Sequence, residues 1–170
     1  MKVQSRAVIN LLIVTLFIVF LYAFCNFKIM RISGNSMSPY YPDNQIILVY
    51  RGSYGLPYLF KSGYFLQWKK PDKEDIIVFH NPIDDSLSVK RCIGIPGDTL
   101  FLKHDTYYLN EKALPPSPLP PAADFRGGII GNDWFFLMGD NYSKSIDSRM
   151  YGPIPMELIL GKVLPVKGKS

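Results

Sequence analysis

From Ala7 to Phe27 the sequence AVINLLIVTLFIVFLYAFCNF runs for 21 residues without a charged side chain. At about 1.5 Å per residue, a helix of that length reaches ~30 Å, the thickness of a bilayer's hydrocarbon core. Polar side chains within it, such as Asn10 and Thr15, are tolerable near an end or against the backbone. A cleaved signal peptide has a shorter apolar stretch, about 7–15 residues, followed by a small-x-small site. This run ends in Phe24-Cys25-Asn26-Phe27, which offers no such site, and the bulky Phe24 before Cys25 spoils a lipoprotein signal. The run predicts an uncleaved membrane anchor. Lys2 and Arg6 on one side and Lys28 and Arg31 on the other leave its orientation open.

The anchor changes how the charge is read. The 170 residues carry 19 Lys and Arg against 14 Asp and Glu, a formal +5. Residues 1–28 contain Lys2, Arg6 and Lys28 and no acid, so the remainder has 16 bases, 14 acids and a net +2. Three of those bases, Lys162, Lys167 and Lys169, fall in the last nine residues, and the centre has no basic stripe with interleaved aromatics. Nucleic acid is therefore not an expected partner. Cys25 lies in the apolar run and Cys92 in a strand-like segment, which excludes a disulfide framework. His80 and His104 have no Cys or His at ligand spacing, so neither a metal nor a cofactor is expected.

Beyond the anchor the pattern is β-rich. Gln45–Arg51, Asp75–His80, Leu87–Gly94, Thr106–Leu109 and Trp134–Met138 are short, β-branched or aromatic, and bounded by turn residues. No later segment sustains a helical period, although Met156–Leu160 allows one turn. The expected fold is mainly β, an antiparallel sandwich-like or barrel-like domain with one N-terminal transmembrane helix. Its expected organisation is a tip and anchor over residues 1–29 and a β-rich domain over 30–170. Residues 115–121, PPSPLPP, must be extended and read as a stiff surface loop.

Three clusters carry possible chemistry. In Ile32-Ser33-Gly34-Asn35-Ser36-Met37-Ser38-Pro39, a turn holds serines with backbone N–H groups nearby, although such clusters are mostly plain loops. In Val89 to Asp98, VKRCIGIPGD, Lys90 stands in a largely apolar strand. Burial without a carboxylate would lower its pKa toward neutrality and make it a general base; a solvated strand lysine is the plainer alternative. Gly139 to Gly152, GDNYSKSIDSRMYG, is dense in Asp, Asn, Ser and Arg. It reads as a hydrogen-bonded loop in which Asp147 and Arg149 pair and Ser145 orients an amine.

In order and spacing these clusters resemble the boxes of type I signal peptidases, the membrane-bound Ser/Lys leader peptidases. Ser36-Met37-Ser38-Pro39 matches the nucleophile box, and Lys-Arg-x-x-Gly-x-Pro-Gly-Asp over Lys90 to Asp98 matches the base box. Gly-Asp-Asn-x-x-x-Ser-x-Asp-Ser-Arg-x-x-Gly matches the third from Gly139 to Gly152. The resemblance runs from about Met30 to Gly161, with a short variable insertion around residues 100–133. It implies a signal-peptidase-type antiparallel β-domain with Ser36 as nucleophile and Lys90 as general base. Ser145, Asp147, Arg149 and Asp140 would support them. Gly34, Met30, Ile32, Tyr41, Ser88 and Val89 would serve oxyanion and substrate binding. It also implies preprotein substrates with small residues before the cleaved bond, a membrane lipid setting close to the secretion translocon, and a catalytic domain outside the cytoplasmic membrane. Gly34 stands where Gram-negative members have Ser, Tyr40-Tyr41 where Thr-Leu is usual, Tyr142 for an Arg and Glu74 for a Gly. Two other functions remain open on the residues: a processing peptidase dedicated to one secretion or conjugation substrate, and an inactive anchored β-domain that binds peptides. Aromatic residues between Tyr50 and Trp68 suggest an interfacial rim against the bilayer.

Overall fold

The computed structural model describes residues 2–120 and 127–165; Lys167 and Lys169 lie outside them. Helix α1 covers Lys2–Cys25, and its stretch Val8–Cys25 has a mean hydropathy of 2.7 with none of its residues buried by the rest of the chain. Leu11, Leu16, Phe17 and Phe20 all stand exposed, so the helix is apolar all round, and it meets the rest of the described chain only near its C-terminal end. Its end is made by Asn26, whose amide nitrogen donates to Ala23 O and whose side chain donates to Tyr22 O. Phe27, the last residue of the uncharged run, already belongs to a strand.

Among the described residues thirteen strands follow: β1 Phe27–Arg31, β2 Ile46–Tyr50, β3 Gly55–Pro57, β4 Tyr64–Gln67, β5 Ile76–His80, β6 Leu87–Gly94 and β7 Thr99–Lys103. Then come β8 Thr106–Leu109, β9 Lys112–Ala113, β10 Gly127–Ile129, β11 Trp134–Met138, β12 Ile154–Pro155 and β13 Ile159–Leu164, with a one-turn helix α2 at Ser148–Tyr151. Seven form one sheet in the order β1-β2-β13-β5-β6-β11-β12, and every neighbouring pair is antiparallel. The register slips at Ile159/Gly161 and at Phe136/Leu137, bulges that bend a sheet and strengthen its twist. A four-stranded sheet, β10-β7-β8-β9, forms the short insertion, and β3-β4 is a separate hairpin.

Strand β5 explains how the core is divided. Side chains alternate across a strand, so Ile77 and Phe79 join a cluster with Tyr54, Cys92 and Phe135 while Ile76 and Val78 join another with Ile32, Met37 and Val49. Both faces are covered, which is why IIVFH reads as a continuous apolar run. The mainly β, antiparallel expectation holds. The five expected strands coincide with β2, β5, β6, β8 and β11 within a residue at each end, and the turn expected at Met156–Leu160 is a 3₁₀ turn at Met156–Leu158 that runs straight into β13.

Candidate active site

Lys90 occupies the middle of β6, opposite Ile77 of β5. The apolar residues around it bury the side chain to 5% exposure. Its Nζ is hydrogen-bonded to Ser36 Oγ at 2.8 Å, across 54 residues of sequence. Removing an ammonium from water disfavours the charge, and this burial lowers the Lys90 pKa from 10.5 to about 8; Asp147 and Asp140 oppose the shift and Arg149 adds to it. Among the described residues no carboxylate is bonded to the amine.

Backbone atoms fix the position of Ser36. Asn141 donates its amide nitrogen to Ser36 O and its side-chain Nδ2 to Asn35 O, both at 3.0 Å. Gly139 lets this loop approach, since a Cβ there would fall 2.2 Å from Ser145 Oγ and 2.4 Å from Ser36 O. Asp140, between these two residues, takes a two-pronged bond from Arg91, Nε to Oδ1 at 2.7 Å and NH2 to Oδ2 at 2.8 Å. The Tyr40 ring lies over that guanidinium, 5.4 Å from its centre. The strand bearing Lys90, the loop bearing Ser36 and the 139–141 segment are thus bolted together at one point.

Below them Asp147 and Arg149 form a pair at 0% and 1% side-chain exposure. Asp147 accepts from Arg149 Nε and NH2, each at 2.8 Å, and from Gly139 N at 3.1 Å. A buried ion pair is tolerable only when its remaining donors are satisfied. Arg149 meets this by donating to the carbonyls of Tyr142, Ser145, Pro115 and Pro116. The proline stretch, expected to be a plain surface loop, therefore supplies two acceptors to the site.

Among the residues expected from sequence, Ser36, Lys90, Asp140, Asp147 and Arg149 converge. Met30, Ile32, Tyr41 and Val89 also come together, packed with Met37, while Ser88 sits one step along β6 with Asn81 Nδ2 3.5 Å from its Oγ. Ser145 is fully buried with its Oγ against Gly139, and among the described residues the Lys90 amine is bonded to Ser36 and not to that hydroxyl. Gly34 does not contribute a free donor, because its N–H is committed to Asp43 Oδ1 at 2.8 Å; its φ of +91° explains why a glycine stands there. The Ser36 N–H, by contrast, meets no acceptor among the described residues. Asn141, Gly139 and the Pro115–Pro116 carbonyls leave little individual mark in the sequence, because they act largely through main-chain atoms that carry no residue-specific signal.

The family described as "Signal peptidase, peptidase S26" matches residues 5–166. The chain belongs to this signal peptidase family. It is 29% identical over 140 residues to "Probable signal peptidase I-2" of Synechocystis sp., an alignment covering 77% of the chain and 58% of that relative. With "Signal peptidase I U" of Bacillus subtilis it is 27% identical over 169 residues, covering 92% of the chain and 82% of the relative. A crystal structure of a signal peptidase I from Enterococcus faecalis V583 aligns at 29% identity over 57% of this chain and 98% of that one, with a TM-score of 0.41. The N-terminal apolar helix fits a membrane-anchored member of this signal peptidase family.

Proposed function

We propose that the chain is a serine endopeptidase that removes signal peptides, with Ser36 as nucleophile and Lys90 as general base. The observation that carries this is the 2.8 Å bond between Ser36 Oγ and a buried lysine lacking a carboxylate partner. A lysine with a pKa near 8 is neutral in a useful fraction of molecules at physiological pH, and its lone pair takes the serine proton as Oγ attacks the scissile carbonyl carbon. The unpartnered Ser36 N–H is a donor for the resulting oxyanion, a role whose loss typically costs about 3 kcal/mol. When the C–N bond breaks, the Lys90 ammonium returns the proton to the leaving amine. Water then attacks the acyl-enzyme carbonyl and gives its proton to Lys90, and as the C–Oγ bond breaks Lys90 passes that proton to Ser36 Oγ, freeing the serine, the neutral amine and the carboxylic acid product. The ammonium has three N–H donors, and the unpartnered Ser145 hydroxyl, buried against Gly139, is an acceptor for one of them. Asp147 and Arg149 brace the loop bearing Ser145, and Asp140 ties it to β6.

The apolar patch of Met30, Ile32, Tyr41 and Val89 suits small residues before the scissile bond. The same reading puts α1 in the lipid of the cytoplasmic membrane and the β-domain on its outer face, near the translocon that delivers preproteins. Incubation with a preprotein bearing an Ala-x-Ala site tests it. Cleavage by the wild type and none by Ser36→Ala or Lys90→Ala is the expected result, and cleavage surviving in either variant would remove that residue from the mechanism.

A further inference from the structure

We infer that the hairpin loop from Tyr58 to Leu66 is a second membrane contact, inserted into the lipid beside α1; this rests on the membrane-anchored reading of the helix. Its position is set by a bond within the anchor. Tyr22 lies about 5 Å before the helix's last residue, inside the uncharged run. Its hydroxyl donates to Pro57 O at 3.2 Å. Pro57 ends β3, so the loop begins at the level of the apolar helix and not above it.

What the loop presents there is apolar. Phe60 is 99% exposed and Phe65 73%, and Leu59, Leu66 and Trp68 are exposed as well. Tyr54 and Tyr64, in the same aromatic stretch, are instead packed in and against the core. The outward side chains are held out by a built framework. Arg51 NH2 donates to Tyr58 O and Lys61 O, Tyr58 N donates to Gly63 O, and the Tyr58 and Phe65 rings meet edge-on at 6.3 Å. Residues 55–71 contain no Asp or Glu but three lysines, of which Lys61 lies across the Tyr58 ring. An apolar tip with a basic flank fits a bilayer, its acyl chains below and phosphates at the rim.

The test uses the full chain in phosphatidylcholine and phosphatidylglycerol vesicles whose acyl chains carry bromine, a short-range quencher of tryptophan. In a Trp68→Phe, Trp134→Phe background, a single tryptophan is introduced by Phe60→Trp or, as a control on the exposed small sheet, by Ile129→Trp. The Phe60→Trp fluorescence is expected to be blue-shifted and quenched several-fold more than that of the control. The native Trp68, examined alone through Trp134→Phe, is expected to be quenched too, which covers a hairpin disturbed by substitution. Flotation with the vesicles reports the anchor separately, and no step depends on catalysis. A chain that floats with equal quenching at the two sites overturns the hairpin contact alone. A chain that does not float overturns the anchor and the hairpin together, leaving the peptidase reading to the preprotein experiment.

Discussion

Ile77 of β5 has a lysine opposite it on each side, Lys90 of β6 and Lys162 of β13, and the two lysines are treated in opposite ways. Lys162 is bonded to Asp75, which also accepts from Tyr54 OH at 2.8 Å and from Asp72 N at 3.2 Å. Lys90 is the more buried and is given a hydroxyl in place of a carboxylate. Two strand lysines within one sheet thus diverge because of what faces the nitrogen. A carboxylate holds Lys162 as a structural cation; a dry environment and a serine leave Lys90 the lowered pKa that the proposed base requires.

The largest expected effect separates the two directly. Lys90→Met is expected to abolish cleavage, a loss on the order of 10³-fold or more. Lys162→Met is expected to leave kcat/KM within a few-fold when both are assayed on one preprotein at a temperature where both variants are folded. If the two substitutions reduce activity alike, the contrast is lost.

Stability is expected to move in opposite directions. Lys162→Met strands the buried Asp75 carboxylate, at a cost of about 2 kcal/mol by urea unfolding near neutral pH. Lys90→Met removes a cation that burial disfavours. The shift from 10.5 to about 8 corresponds to roughly 3 kcal/mol, so this inactive variant is expected to be the more stable protein at pH 7. Below pH 8 both folded and unfolded wild-type chains hold the Lys90 proton and the penalty is full. Between about 8 and 10.5 only the unfolded chain holds it, so wild-type stability rises with pH and the advantage of Lys90→Met shrinks. Unfolding at several pH values checks this trend.

Activity gives the matching profile. A base must be unprotonated, so kcat/KM is expected to rise through about pH 8, well below a free lysine, and Lys162→Met is not expected to move that limb. A limb near 10 would mean that Lys90 is not desolvated in the working enzyme.

The smallest effect concerns the turn that feeds β5 between the lysines. Glu74 has φ +73°, a left-handed conformation in which glycine is at ease. Glu74→Gly is expected to stabilise the chain by about 0.5 kcal/mol, because relief of strain slightly exceeds the added freedom of the unfolded chain. A thermal melt that shows lower stability would mean that its 3.4 Å contact with Arg91 outweighs the strain.

Glu74 also illustrates what a sequence can carry. Its departure from the family's Gly was visible, but the reason was a backbone angle. Strands β5 and β11 were legible because their apolar runs are nearly unbroken. β13, which lies between β2 and β5, was not, because Gly161 interrupts its pattern. A Cβ there would fall 2.7 Å from Tyr50 O, so packing imposed the residue that hid the strand. β1 was hidden differently, since Phe27 continues the hydropathy of the helix. At the site Ser36 and Lys90 were legible because their chemistry belongs to side chains in a recognisable order. Asn141 was not legible as a clamp, because half of its grip on the nucleophile is an ordinary amide N–H.

The hold of Arg149 on Pro115 and Pro116 also sets a limit on divergence. Carbonyl groups are common to every residue, so the two prolines are replaceable provided the chain keeps its course past the guanidinium. A deletion that shortens the path to residue 116 would unseat the arginine and, through Asp147, the Gly139 amide. Additional sequence inserted after residue 116 bears on no such contact. The insertion is therefore free to lengthen from one side only, and a foreign loop grafted into this enzyme belongs beyond that boundary.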